Sequence, residues 1–369
     1  MSDDDALPMP PRVSAAGKVG IDALARHPFR IDVRSPSEFA EDHLPGAVNW
    51  PVLDDAQRAE IGTLHAQVSA FAAKQRGAAI VARNIADMLD AHCQGRPREW
   101  APLVYCWRGG KRSGSLAHIL REIGWKAVQL DGGYRTYRRH VVTALGELPQ
   151  RFRFVVICGL TGSGKSRLLG ALANAGEQVL DLEGLAKHRG SLLGDLPGDP
   201  QPSQKAFDSA VLATLETLDP ARPVFVESES RKIGTVQVGD ALLAAMRDAR
   251  CVRVNTPQPL RVALLKEEYA HFLADPVALN ARLAHLVPLH GRKTVDRWAS
   301  AALAGDFDPL VTELLVAHYD PTYSRSIVRN FPASVHALDV APAGIGPEAF
   351  GALAREIAAA VHAPAVAES

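Results

Sequence analysis

Residues 152–166 read FRFVVICGLTGSGKS, and this stretch decides the fold of the chain's second half. Phe152 to Cys158 is an apolar run of strand length. Gly159 to Ser166 fits G-x-x-x-x-G-K-[ST] and stands between a predicted strand and a predicted helix, the context a phosphate-binding loop requires. In such a loop Gly159, Thr161, Gly162, Ser163 and Gly164 let backbone N–H groups turn inward around a phosphate. The helix N-terminus adds partial positive charge. Lys165 supplies a point charge, and the Ser166 hydroxyl is a ligand for Mg²⁺. Nothing in the loop specifies a nucleoside; a diphosphate of any kind fits it.

Downstream, strand and helix patterns alternate through Gln178 to Leu182, Pro223 to Glu227 and Cys251 to Asn255. Residues 258 to about 320 read as a helical insertion, and Val335 to Val340 followed by Pro347 to Val361 gives a last strand and helix. Strands alternating with helices predict a parallel or mainly parallel sheet. Metal-associated carboxylates lie at the ends of strands next to the phosphate loop in such sheets. Glu227 and Glu229 are the first candidates and Asp181 and Glu183 the second. The alternative is that these carboxylates only cap strand ends.

Upstream, Gly146 to Gln150 reads as a short linker and residues 17–146 as a separate domain, preceded by a loose tail over residues 1–16 that is acidic, then rich in proline and alanine. Phe29 to Val33 suits a buried strand. Ser35 to Glu38 starts a helix with a Ser cap, Pro in the first turn and an acidic residue soon after. Asp54 to His92 is mostly helical in pattern. Leu103 to Tyr105 is a second strand running into Cys106, Ser113 to Glu122 a helix, and Ala127 to Leu130 a third strand ended by Asp131-Gly132-Gly133. Two domains are also what 369 residues predict.

Cys106-Trp107-Arg108-Gly109-Gly110-Lys111-Arg112 places a cysteine at a strand end, before a Gly-rich loop that opens a helix. Inward N–H groups, the helix N-terminus and the nearby Arg108, Lys111 and Arg112 all favour negative charge on sulfur. Cys158 and Cys251, in or beside apolar strands, read as core residues, and Cys93 has no such surroundings. Two chemistries use such a loop: ester hydrolysis through a cysteinyl phosphate, and transfer of sulfur or selenium through a persulfide-like adduct. Cys106 to Arg112 has the C-x5-R length of cysteine phosphatases, but Tyr105 stands where those enzymes usually carry His.

Composition narrows the class. Hydrophobic residues make up 47% and charged residues 22%, a globular profile. Basic and acidic residues balance at 41 each, so the chain as a whole does not attract nucleic acid, and any such binding needs a local patch. The four cysteines are far apart, without metal-ligand spacing, and read as reduced thiols. With an acidic start at Asp3-Asp4-Asp5 and no apolar run long enough to span a bilayer, the expected location is the cytoplasm.

Asp32-Val33-Arg34-Ser35-Pro36-Ser37-Glu38-Phe39, His43 to Asn49 and the Asp131-Gly132-Gly133-Tyr134 turn closely resemble the rhodanese domain. Joined to a phosphate loop, the chain from about Phe29 to Arg329 resembles the tRNA 2-selenouridine synthase family. The likeness rests on Cys106 to Gly110, Gly132 to Arg135, Gly159 to Ser166 and Asp181 to Ser191. Gln201 to Lys205, Glu227 to Arg231 and Tyr319-Asp320-Pro321 complete it. The resemblance implies an α/β fold: a rhodanese-like domain, then a P-loop NTPase-like parallel-sheet domain with helical C-terminal additions. It also implies a transferase that geranylates wobble 2-thiouridine in tRNA with geranyl diphosphate. The enzyme then replaces the geranylated sulfur with selenium from selenophosphate, carried at Cys106 as a selanyl-cysteine. Geranyl diphosphate is the ligand expected at the phosphate loop, with Mg²⁺ at Ser166; no tightly bound cofactor, membrane or stable protein partner is expected. The competing readings are a cysteine phosphatase with an appended kinase-like domain and a non-catalytic RNA-binding module.

A tRNA partner needs a local basic surface. Leu103 to Arg153 holds ten basic and three acidic residues, a surplus of seven. Arg135, Arg138 and Arg139 are its densest part, and Arg292 and Lys293 lie in a second basic stretch, Arg282 to Arg297. Solvated helix faces are the alternative for both.

Overall fold

The apolar runs form two five-stranded sheets, each wholly parallel, in a computed structural model that describes residues 17–191 and 193–363. The expected tail over residues 1–16 lies outside the described residues. The chain divides into two units between Ala144 and Leu145. The segment expected as a linker is the last turn of the helix Gly133–Glu147 followed by a 3-10 turn, Leu148–Arg151.

In the first unit the strands are β1 (Lys18–Val19), β2 (Arg30–Asp32), β3 (Ala47–Asn49), β4 (Leu103–Tyr105) and β5 (Val128–Leu130), in the order β1-β5-β4-β2-β3. Ile31, Val33, Val104, Leu116 and Leu120 are fully buried in one apolar cluster. The sequence pattern does not reveal β1, which has only two residues, or β3, whose three residues are none of them buried and so lack the apolar run that marks β2 and β4. The long helical pattern of residues 54–92 is two helices, Asp55–Gln67 and Ala70–His92. Ser69 breaks it, its hydroxyl accepting the Ala72 N–H at 3.0 Å as an N-cap.

The second unit has β6 (Arg153–Cys158), β7 (Gln178–Leu180), β8 (Pro223–Glu227), a small antiparallel pair β9 (Lys232–Ile233) and β10 (Val236–Gln237), then β11 (Arg250–Val254) and β12 (Leu338–Val340). The main sheet runs β12-β11-β6-β8-β7, with an apolar cluster on each face. The helical insertion continues to Asn330, because Pro321 sits in the first turn of Asp320–Asn330, where a missing N–H costs little. Its own core is built around Trp298, Leu283, Leu286 and Leu315, and a π turn interrupts it at Leu315–Tyr319.

β4 and β6 are the middle strands of their sheets, β4 between β2 and β5 and β6 between β8 and β11, so successive crossovers leave each to opposite sides. A crevice opens beyond the carboxyl end of such a strand. Cys106 follows β4 and Gly159 follows β6, so each candidate loop stands at the crevice of its own sheet. No described helix is long and apolar enough to cross a membrane.

Candidate active site

Cys106 directly follows β4, with only 3% of its surface exposed. Its Sγ accepts a hydrogen bond from the Ser113 hydroxyl at 3.2 Å, and Gln129 holds that hydroxyl by donating to it at 2.7 Å. The same Gln129 amide donates to the Gly110 carbonyl at 2.8 Å, which ties the far end of the loop to β5. The near end is tied to the next turn: the N–H groups of Tyr134 and Arg135 donate to the carbonyls of Cys106 (2.9 Å) and Trp107 (3.0 Å). Trp107 lies with its ring 5.4 Å from that of Tyr134. Arg108, Gly110 and Lys111 are exposed and Gly109 is buried. Arg112 differs from the other cations, since its guanidinium donates to Glu38 Oε2 at 2.9 Å and is neutralised there.

Gly133 makes this clamp possible. Its φ is +59°, and a Cβ there would collide with the Cys106 carbonyl and the Gly109 N–H. Gly133→Ala should therefore destabilise the unit by about 1–3 kcal/mol in urea unfolding. Gly146→Ala in the same helix, where a Cβ meets nothing, should be neutral or stabilising by up to about 1 kcal/mol. Equal effects at the two glycines would refute the clamp.

Below the loop is a buried ionic network that sequence pattern alone does not expose. Arg34 Nε and Nη2 grip the Asp32 carboxylate at 2.6–3.1 Å, and Nη2 also donates to the Asp42 carbonyl at 2.6 Å. The Tyr134 hydroxyl donates to Asp42 Oδ2 at 2.7 Å, and the Arg34 guanidinium lies 3.9 Å from the Tyr134 ring centroid. Burial alone would favour neutral Arg34, but the hydrogen bond and charge of Asp32 outweigh it and hold the guanidinium charged. The Asp32-Val33-Arg34 stretch is thus the footing of the turn that holds Cys106.

In the second unit Lys165 Nζ donates to the Gly159 carbonyl at 3.1 Å, across the mouth of the loop. Ser166 Oγ donates to Glu183 Oε2 at 3.0 Å, and the Glu183 N–H donates to Glu227 Oε1 at 2.6 Å. Burial pushes Glu227 and Glu229 well above the usual carboxylate range; neighbouring carboxylates add to both shifts, and Lys165 opposes that of Glu229. Asp181 is exposed and caps the short helix Leu182–Ala186, accepting the Gly184 N–H at 2.7 Å. Of the four carboxylates, Glu183 is the one that touches Ser166.

Among the described residues no three His, Cys, Asp or Glu side chains form a metal cage. The Ser166–Glu183 pair nonetheless fits Mg²⁺, which takes one or two carboxylates, keeps waters and completes its shell with substrate phosphate oxygens.

Two cations that the sequence pattern does not single out border the loop. Arg189 lines the same cavity as Thr161 to Ser166, and its buried Nη1 has no hydrogen-bond partner among the described residues. Its guanidinium lies 5.1 Å from the Tyr269 ring centroid. Arg261, 5% exposed, donates from Nε to the Thr161 carbonyl at 2.9 Å and forks onto Asp320 at 2.6 and 3.0 Å. It fastens the phosphate loop to the start of the helix Asp320–Asn330, which gives the Tyr319-Asp320-Pro321 stretch a physical role.

Next to the loop is an apolar cavity of about 570 Å³, counting the open space at its mouth. Its walls include Leu265, Phe272, Leu279, Leu310 and Leu314, and it shares Thr161, Ser191, Leu265 and Tyr269 with the phosphate-loop cavity. No sequence motif signals it, because its walls come from separate helices of the insertion. Arg135, Arg139, Arg292 and Lys293 are exposed and Arg138 is half-buried; the four cysteines are all unpaired and buried.

Two family descriptions match the chain: "Rhodanese-like domain" over residues 21–140 and "tRNA 2-selenouridine synthase AAA domain" over residues 152–282. Relatives described as tRNA 2-selenouridine synthase include one from Nitrosomonas europaea, 35% identical over 70% of this chain and 67% of its own length. Another, from Aeromonas salmonicida, is 32% identical over 79% of this chain and 85% of its own length. One from Salmonella newport is 31% identical over 79% of this chain and 87% of its own length.

Proposed function

The chain belongs to the tRNA 2-selenouridine synthase family, an enzyme family, and from that premise we propose a two-step chemistry divided between its two loops. In the phosphate-loop unit, the sulfur of a wobble 2-thiouridine attacks the first carbon of geranyl diphosphate. The carbon–oxygen bond breaks and the electron pair leaves with diphosphate. Selenium of selenophosphate, held in the Cys106 loop, then adds at the same base carbon and geranylthiolate leaves with its electron pair. Water takes the phosphoryl group, breaking the selenium–phosphorus bond and releasing phosphate. Alkylation has a plain chemical purpose, since it turns a poor leaving group into a better one. The reaction is assigned to the cytoplasm, whose reducing conditions suit four unpaired thiols.

One observation carries the donor assignment: an apolar cavity shares four lining residues, among them Thr161 of the loop, with the phosphate-loop cavity. A nucleotide would bring a polar base and ribose, whereas a prenyl diphosphate brings an anion and a hydrocarbon chain. The anion is met by the loop amides, Lys165 and the unpartnered Arg189 Nη1. With Mg²⁺ bound, Ser166 and Glu183 would hold the ion, which would neutralise charge on the departing diphosphate. Each buried CH₂ is worth about 0.8 kcal/mol. Geranyl diphosphate should therefore bind at least about tenfold more tightly than inorganic diphosphate, and Leu310→Asp should erase the difference. Equal affinity of the unaltered chain for the two would refute a prenyl donor.

The Arg112–Glu38 ion pair counts against the phosphatase reading, because the arginine that would grip a phosphate ester is already held by a carboxylate. Turnover of simple aryl phosphates should be negligible.

For tRNA, Arg292 and Lys293 stand in the first turn of the helix Arg292–Ala304, where the helix dipole disfavours cations. Their presence there does not serve helix stability and suits an external anion. Reversing the charge of Arg135, Arg138 and Arg139 together should weaken tRNA binding and flatten its dependence on salt. The log–log slope should fall by close to one unit for each phosphate no longer neutralised. An unchanged slope would move the RNA surface to Arg282 to Arg297.

A further inference from the structure

A third cavity adjoins the phosphate loop and the apolar cavity, and neither the anion nor the hydrocarbon chain accounts for it. Ser228, Glu229 and Ser230, just beyond β8, form one wall; Tyr319, Tyr323 and Asn330, from the π turn and the helix after it, form the other. It spans about 800 Å³, including open space at its mouth. Glu229 and Tyr323 also line the phosphate-loop cavity, Tyr319 also lines the apolar one, and Ser191 lines all three. Ser191 therefore marks their junction.

The chemistry of the walls differs from that of both neighbours. Among the described residues no Lys or Arg lines this cavity, so it is not built for phosphate. Ser228, Ser230, Thr322, Ser326 and Asn330 line it. Ser230 and Thr322 donate to the Lys232 and His318 carbonyls and Asn330 to Ser326, which leaves oxygens to accept and the Ser326 hydroxyl to donate. The rings of Tyr319, Tyr323 and Phe331 add apolar walls. Edges that hydrogen-bond and faces that stack are what an unstacked base of single-stranded RNA requires. The wall is held in place: Arg261 fastens Asp320 to the phosphate loop, and the Tyr323 hydroxyl donates to the Gly190 carbonyl at 3.3 Å. Gly190 has φ +61°, and a Cβ there would press on the Glu183 and Glu229 carboxylates at about 3 Å.

We propose that this cavity seats the acceptor base, a thiolated pyrimidine swung out of the RNA, with its sulfur at the Ser191 junction. The inference rests on the donor reading above and adds the path of the acceptor. A donor with its anion in one cavity and its chain in the second has its reacting carbon where the two meet. The third cavity is the approach that remains open to that carbon. Sulfur–carbon bond formation there breaks the carbon–oxygen bond to diphosphate, and the base releases its N3 proton to water.

Ser326→Phe and Thr322→Phe fill the cavity from half-exposed and exposed helix positions. In the full chain each should lower kcat/KM for a 2-thiouridine anticodon stem-loop at least tenfold, while the Kd for geranyl diphosphate stays within twofold. Asn330→Ala, which removes rather than adds volume, should raise KM for the stem-loop with the same donor Kd. Separately, a stem-loop carrying 5-iodouridine at the wobble position should photo-cross-link to Tyr319, Tyr323 or Phe331. That readout needs no donor, so it tests the acceptor cavity even where geranyl diphosphate fails to bind. Unchanged kcat/KM in both filled variants, or cross-links confined to other segments, would overturn the acceptor site.

Discussion

Chains carrying Lys165→Ala and Cys106→Ala should stop at different nucleosides. Lys165 spans the mouth of the phosphate loop, and its removal takes away a positive charge from the place where diphosphate charge develops. Loss of one such electrostatic interaction costs about 2.7–4 kcal/mol, or roughly 10²–10³ in rate. The Lys165 variant should leave tRNA as 2-thiouridine. Cys106→Ala leaves that loop intact and removes the thiol of the loop proposed to hold selenophosphate, so S-geranyl-2-thiouridine should accumulate. Supplied with pre-geranylated tRNA and selenophosphate, the Lys165 variant should proceed and the Cys106 variant should not. Mass spectrometry of wobble nucleosides after each reaction decides the matter. A Cys106 variant unable to geranylate, or a Lys165 variant unable to selenate pre-geranylated tRNA, would mean that the steps share one centre.

The second large effect is on stability. Arg34 is 1% exposed and Asp32 fully buried, and the guanidinium supplies the countercharge that the Asp32 carboxylate needs away from water. Arg34→Ala strands that carboxylate and should cost the first unit about 3–5 kcal/mol. Replacing both partners removes the stranded charge, so Asp32→Ala combined with Arg34→Ala should recover part of the loss. Urea unfolding followed by the fluorescence of Trp50 and Trp100, both buried in this unit, reads the effect directly. A single-variant loss below about 1 kcal/mol would show that the pair is not what supports the cysteine turn.

Both loops were legible from sequence because each is local. Residues 103–113 and 152–166 carry strand, loop and helix start in unbroken order, and backbone geometry over a dozen residues follows from apolar runs and glycines. Four carboxylates were also legible as a set, from their positions after strands. Their division of labour was not. That Glu183 touches Ser166, that Glu227 backs it and that Asp181 only caps a helix depends on side-chain placement across strand ends 44 residues apart. Arg112 reads as a cation for the cysteine loop until the fold brings Glu38 onto it from 74 residues away. Likewise β1 and β3 exist only because neighbouring strands offer them hydrogen bonds.

The sequence by itself determined two α/β units, the place of each loop after the middle strand of its sheet and, through its resemblance, the family. Only the tertiary structure decided what surrounds those loops: the Asp32–Arg34 footing, the Arg261 bridge to Asp320 and the three cavities that meet at Ser191. The reason is physical. A loop's backbone answers to its own residues, whereas a cavity is bounded by side chains whose proximity is fixed by the packing of separate helices and strands, and that packing leaves no periodic trace along the chain.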